Sequence, residues 1–251
     1  MALFKSGNPS FGDSTYEKAG QAIDSSQAMT VNGAIGKTGI LLLLVAFGAV
    51  ITWNMYTSIT YSALVIPLFW VGFVGALIMC IAICIKKTLA PYLSPVYAVL
   101  EGLALGGISA ILNSYYPGIA LQAISLTFVV ATVMLLLYRF GVIRATERFK
   151  SIIFIATAAI AVFYLGSFIL SFFGISSPAY ASTPLGIGIS VFVVIIAALN
   201  LIIDFDFIEQ GAAYQAPKYM EWYGAFGLMV TLVWLYIEIL RLLAKIAASS
   251  R

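Results

Sequence analysis

The chain has 251 residues, 62% of them hydrophobic and only 9% charged. Soluble domains carry about 25% charged residues, so 23 charges cannot cover a water-facing fold of this size. A formal net charge of +3 gives no nucleic-acid patch, and the absence of histidine excludes His-ligated metals, Ser-His or Cys-His catalysis and any imidazole switch.

Residues 1–36 read as a polar, disordered tail rich in Ser, Gly, Ala and Gln, without the apolar core of a cleaved signal peptide. Within it, Gly33-Ala34-Ile35-Gly36-Lys37-Thr38 resembles the end of a phosphate-binding loop, but Val31 stands where that pattern needs glycine. It reads instead as a flexible approach to a membrane helix, with an anchoring lysine.

From there to residue 251 the charges fall in short zones. No charge lies in the 48 residues between Lys37 and Lys86, and none in the 53 between Lys150 and Asp204. The 51 residues between Lys87 and Arg139 hold only Glu101. A spanning helix needs about 20 apolar residues, so each gap holds two helices and a short loop. One more helix follows Glu221. The expected spans are 38–56, 61–85, 92–113, 119–138, 151–173, 185–208 and 222–245. The fold class is therefore all-α: a polytopic membrane protein with a seven-transmembrane-helix bundle over residues 37–251. Runs such as Leu41-Leu42-Leu43-Leu44-Val45 lack the alternation of a β-barrel.

Lys37, Lys86, Lys87, Arg139, Arg144, Arg148, Lys150 and Lys218 all fall on one side, which the positive-inside rule makes cytoplasmic, together with the N-terminus. Arg241, Lys245 and Arg251, at the other end of helix seven, run against the rule. Cys80 and Cys84, four apart on helix two, read as packing residues. On helix three, Ala98, Gly102, Gly106 and Ala110 form a small-residue stripe of the kind that packs helices closely. Internal packing is preferred to an oligomer contact, which favours a monomer.

The chemistry rests with carboxylates inside the membrane, which are costly and tend to be functional. Glu101 is either a hydrogen-bonded acid that locks helices together or an ion or proton site. Asp206 and Glu209 share a face at the inner end of helix six, and Asp204 points elsewhere. Acids at a helix C-terminus oppose the dipole and need a compensating group. Lys86 and Lys87, on the same side, could supply a latch, and a bound cation is the other option. Glu238 has Arg241 at i+3 and Lys245 at i+7, as for a local ion pair. Hard cations such as Ca²⁺ take oxygen ligands, and two close carboxylates share a proton. Together these suggest a cation path gated by protonation. No metal site or cofactor is expected beyond the transported ion.

Pro95-Val96-Tyr97-Ala98-Val99-Leu100-Glu101-Gly102, Asp204-Phe205-Asp206-Phe207-Ile208-Glu209 and Leu235-Tyr236-Ile237-Glu238-Ile239-Leu240 together resemble the Bax inhibitor (transmembrane BAX inhibitor motif) family. Met29-Thr30-Val31-Asn32-Gly33 with Lys37-Thr38 looks like the start of a bacterial branch, which implies the inner membrane. The resemblance implies a seven-helix protein, not an enzyme, of a kind that includes pH-sensitive Ca²⁺ leak channels. It carries the pH sensor onto Asp206 and Glu238, with glutamate where the family has aspartate, and the gate partner onto Lys86 or Lys87. Glu101, Asp204 and Glu209 would line the ion path. From Glu221 to Glu238 is 17 residues, about 25 Å of helix. The two acids can therefore meet only if helix seven starts well inside the cytoplasm. The other reading is a stress regulator that binds a membrane protein, such as a protease, through the tail. An intramembrane aspartyl protease is disfavoured, because Tyr236-Ile237-Glu238 stands where such enzymes resemble Gly-x-Gly-Asp.

Overall fold

The computed structural model describes residues 28–58, 60–174, 177 and 180–250. Seven α-helices are long and apolar enough to cross a membrane. They are α1 (Val31–Thr57), α2 (Val65–Ile85), α3 (Ala90–Tyr115), α4 (Ile119–Arg139), α5 (Glu147–Ser171), α6 (Pro184–Ala213) and α7 (Met220–Ser249). Single 3-10 turns at Ser62–Leu64 and Lys87–Leu89 lead into α2 and α3. Among the described residues there is no strand, only an isolated bridge between Ala28 and Pro217.

All seven expected spans are present, and the largest differences are at the ends. α1 begins at Val31, not at 38, so residues 28–36 are not tail. Thr30 caps this helix by accepting from the Gly33 amide, and long-range contacts described below hold its first turns. Tertiary bonding here overrides the weak helix propensity of Asn32, Gly33 and Gly36. The rest of the expected tail, residues 1–27, lies outside the described residues. α6 and α7 are 30 residues each, longer than expected. The Asn113–Gly118 turn forms as read: Gly118 adopts φ 86° and donates its amide to Asn113 Oδ1.

The chain groups into two compact units. One contains α1, α2, α3, the end of α6 from Phe207 and the start of α7 through Val230. Here α3 packs against both α1 and α2. The small-residue stripe makes this possible. A Cβ on Gly102 would run into the Val45 carbonyl, and one on Gly106 into Thr52 and Ala49 of α1. The stripe is thus used in internal packing. Tyr97 of α3 meets Phe226 of α7 edge-on, with centroids 5.0 Å apart.

The other unit contains α4, α5, α6 through Asp206 and α7 from Thr231. Its core joins Ile153 and Ile160 of α5 to Val193, Ile196 and Ile203 of α6, with Trp234 of α7 packed against them. Large apolar side chains such as Ile152, Ile155, Val162 and Leu165 of α5 are exposed, as suits a lipid-facing surface.

Candidate functional site: buried carboxylates and their partners

Four acids of α6 and α7 are buried or half-buried, and each has a different set of partners. Asp206, on α6, pairs with Lys150 of α5: Nζ lies 2.8 Å from Oδ2. The Tyr138 hydroxyl of α4 donates to Asp206 Oδ1 at 3.4 Å. Lys150 also reaches Glu147 at 3.4 Å, and its side chain is only 9% exposed. Lys150, which the sequence reading used only for topology, is thus a cation paired with Asp206. Lys87 lies over the Tyr223 ring, 5.3 Å from its centroid. Its position is explained by a cation–π contact. Glu209, one turn beyond Asp206, is exposed.

Glu238, on α7, is 2% exposed. Arg241 pairs with it from i+3 at 3.1 Å, as the spacing anticipated. The Tyr164 hydroxyl of α5 donates to its Oε2 at 3.2 Å, and the Arg241 guanidinium lies 4.9 Å over the Tyr164 ring. Such a pair inside a low-dielectric bundle persists only when the remaining polar atoms are also satisfied. Lys245, read from sequence as the i+7 neighbour of Glu238 in a local ion pair, is 5% exposed. It donates to the Gly186 carbonyl at 3.0 Å and to the Ser190 hydroxyl.

Asp204 is 3% exposed. Thr231 of α7 hydrogen-bonds its carboxyl, and its Oδ2 has no hydrogen-bond partner. Because Thr231 sets the level of Asp204, Glu238 lies seven residues farther along α7, about 10 Å of helix. Asp206 lies at the Lys150 end. The two acids of the expected pair therefore sit at different levels, each with its own cation.

The fourth acid, Glu221, is in the other unit and is fully buried. Its Oε1 accepts from the Thr30 amide and the Thr30 hydroxyl, both at 2.9 Å. Lys218 approaches the same oxygen at 2.9 Å, and Lys37 pairs with Oε2. The Met29 amide donates to the Ala216 carbonyl at 2.7 Å, which lays the chain beside the α6–α7 turn. A Cβ on Gly33 would overlap the Glu221 carboxyl. The glycine-lysine run that mimics a phosphate loop is thereby explained. Thr30 caps, Gly33 makes room, and Lys37 neutralises a buried glutamate. The sequence reading missed Glu221, because its partners Thr30 and Lys37 are more than 180 residues away.

Glu101 is half-buried on α3 and hydrogen-bonds Tyr97, one turn earlier in the same helix. Among the described residues no group of three or more Cys, Asp or Glu side chains is placed to hold a metal ion.

A family model described as Bax inhibitor 1 like matches residues 8–248. The chain belongs to that family. The match covers all seven helices of this Bax inhibitor 1 like protein and the start of its α1, including the Thr30–Lys37 segment that meets Glu221. No curated protein matches the chain.

Proposed function

We propose that this Bax inhibitor 1 like protein is a cation leak of the bacterial inner membrane, with Ca²⁺ as the ion and protonation of Asp206 and Glu238 as its control. The observation that carries the reading is the placement of both acids inside membrane-spanning helices, each held by a basic side chain and a tyrosine. Acids in such places are expensive to insert and are retained for ion or proton chemistry. Glu101, Asp204 and Glu209 are further acids that would attract a cation. In this reading an entering Ca²⁺ competes with Lys150 for Asp206 and with Arg241 for Glu238, because a hard divalent ion prefers carboxylate oxygens.

The sign follows from charge. A proton on Asp206 or Glu238 removes the negative charge that a cation needs, so flux falls as pH falls. Deprotonation restores the charge, and flux rises. The cluster of Lys and Arg at one set of helix ends favours a cytoplasmic N-terminus. Use of the glycine stripe in internal packing favours a monomer.

Purified protein in proteoliposomes with a trapped Ca²⁺ dye tests the reading. Wild type should admit Ca²⁺ faster at higher pH, and Asp206→Asn with Glu238→Gln should flatten that dependence. A wild type that passes no cation, or a double variant with an unchanged pH profile, overturns it. The first outcome would favour the other class, a regulator that captures a membrane partner through the segment before Ala28.

A further inference from the structure

The turn between α4 and α5 combines three arginines with an exposed apolar tip. Residues 139–148 contain Arg139, Arg144 and Arg148, and one acid, Glu147. That acid reaches Lys150 at 3.4 Å. All three arginines are exposed. Among the described residues none of their guanidinium groups has a hydrogen-bond or ion-pair partner. Other basic residues assigned to that side are engaged. Lys150 meets Asp206, Lys37 and Lys218 meet Glu221, and Lys87 lies over the Tyr223 ring. Complementing a helix dipole accounts for Arg139 alone, because only it sits in the last turn of a helix.

Between the arginines stand Phe140 and Val142, 75% and 69% exposed. Bare apolar surface of this kind is unfavourable in water. But α4 and α5 are both long and apolar enough to cross a membrane, so the turn that joins them lies at the membrane surface. Apolar side chains there enter the boundary between headgroups and acyl chains, while arginine side chains keep their charge at the polar level. The turn is also well fixed. The Phe140 amide donates to the Leu136 carbonyl and the Gly141 amide to the Tyr138 carbonyl, both at 2.9 Å. The Val142 and Ile143 amides both donate to the Leu137 carbonyl, at 3.0 and 3.2 Å. Gly141 takes φ 68°, the left-handed conformation that closes a helix end. On the other side Thr146 caps α5 by accepting from the Phe149 amide. Tyr138 and Lys150, which flank the turn, both bond Asp206, so α6 fastens both of its ends. A platform held in this way loses little freedom on binding.

We propose that the α4–α5 turn is a binding site for an anionic phospholipid. Arg139, Arg144 and Arg148 receive the phosphate of its headgroup, and Phe140 and Val142 sit against its acyl chains. Arginine suits this task because its planar fork meets phosphate oxygens two at a time. A zwitterionic lipid also carries a phosphate, but its own ammonium group offsets the charge, so the preference is for a headgroup with net negative charge. Each basic residue near an anionic lipid adds roughly fivefold in affinity, so three give on the order of a hundredfold. No acid of α6 or α7 is a ligand here, and the site does not rest on the proposed ion leak.

Native mass spectrometry of the full chain in detergent measures the site, by titration with phosphatidylglycerol or with phosphatidylcholine of the same acyl chains. Wild type should bind phosphatidylglycerol more tightly. Arg139→Gln, Arg144→Gln and Arg148→Gln combined should weaken phosphatidylglycerol by on the order of a hundredfold and leave phosphatidylcholine nearly unchanged. Because these side chains bond nothing among the described residues, the melting temperature should stay near wild type. Arg144→Gln alone should weaken phosphatidylglycerol about fivefold, and it serves if the triple variant does not fold. Phe140→Ser with Val142→Ser should weaken both lipids alike. Lys86→Gln, which removes an exposed lysine outside the turn, should leave the tightest phosphatidylglycerol site unchanged. Soluble glycerol phosphate should fail to displace the lipid. A wild type without preference for phosphatidylglycerol overturns the site and leaves the arginines to an acidic protein segment. A folded triple variant that keeps the preference overturns it too. Equal losses from Lys86→Gln and Arg144→Gln would show diffuse charge attraction in place of a site, and displacement by glycerol phosphate would overturn the lipid as its ligand.

Discussion

Glu221 and Asp204 are both buried acids at the ends of their units' helices, yet their surroundings are opposite. Glu221 accepts from Thr30 twice and is met by Lys37 and Lys218, so both of its oxygens are used. Asp204 has one threonine and an oxygen left over. Asp206 lies between these extremes, with a lysine, a tyrosine and a side chain 16% exposed. A saturated acid binds nothing further and serves the fold, because removing it strands its donors. An acid with spare capacity, or one whose cation can be displaced, can take a proton or an ion. On the proposed reading, the difference gives Glu221 a structural role and the α6 acids the chemical one.

Substitutions can break this contrast, and their expected effects fall in order. Glu221→Gln leaves Lys37 and Lys218 without their carboxylate and should cost about 3–5 kcal/mol, read as a large drop in melting temperature in detergent. Gly33→Val should reach a similar loss by forcing a side chain into the Glu221 carboxyl. Gly102→Ala presses a methyl onto the Val45 carbonyl and should cost about 1–3 kcal/mol by the same assay. Asp206→Asn should change stability little, because Lys150 keeps Glu147 and the site is partly solvated, but it should remove most of the pH response of ion flux. Lys218→Ala should be smallest, at or below about 1 kcal/mol, since its side chain is 51% exposed.

Much of this was legible in the sequence where the signal is local. The uncharged gaps fix seven spans because bilayer thickness fixes helix length. Arg241 three residues after Glu238 announces its ion pair because both lie on one helix face. The Asp204–Glu209 motif identifies the acids of α6. What was hidden depends on pairing between distant segments. Lys150 and Asp206 are 56 residues apart and meet only because α5 and α6 run antiparallel. Thr30 and Glu221 are 191 residues apart, so the first turns of α1 read as polar tail. Lys245 reads from spacing as a neighbour of Glu238, and its bonds to Gly186 and Ser190 of α6 are visible only in the fold.

The most direct measurement compares Asp206→Asn with Glu221→Gln on two axes, melting temperature in detergent and the pH profile of Ca²⁺ entry into proteoliposomes, scaled to folded protein. The account predicts that Asp206→Asn melts near wild type with a flattened pH profile, while Glu221→Gln melts far lower and keeps the wild-type profile. An Asp206→Asn variant that retains the full pH dependence of Ca²⁺ entry, or a Glu221→Gln variant of normal stability that loses it, would contradict the division between structural and chemical acids.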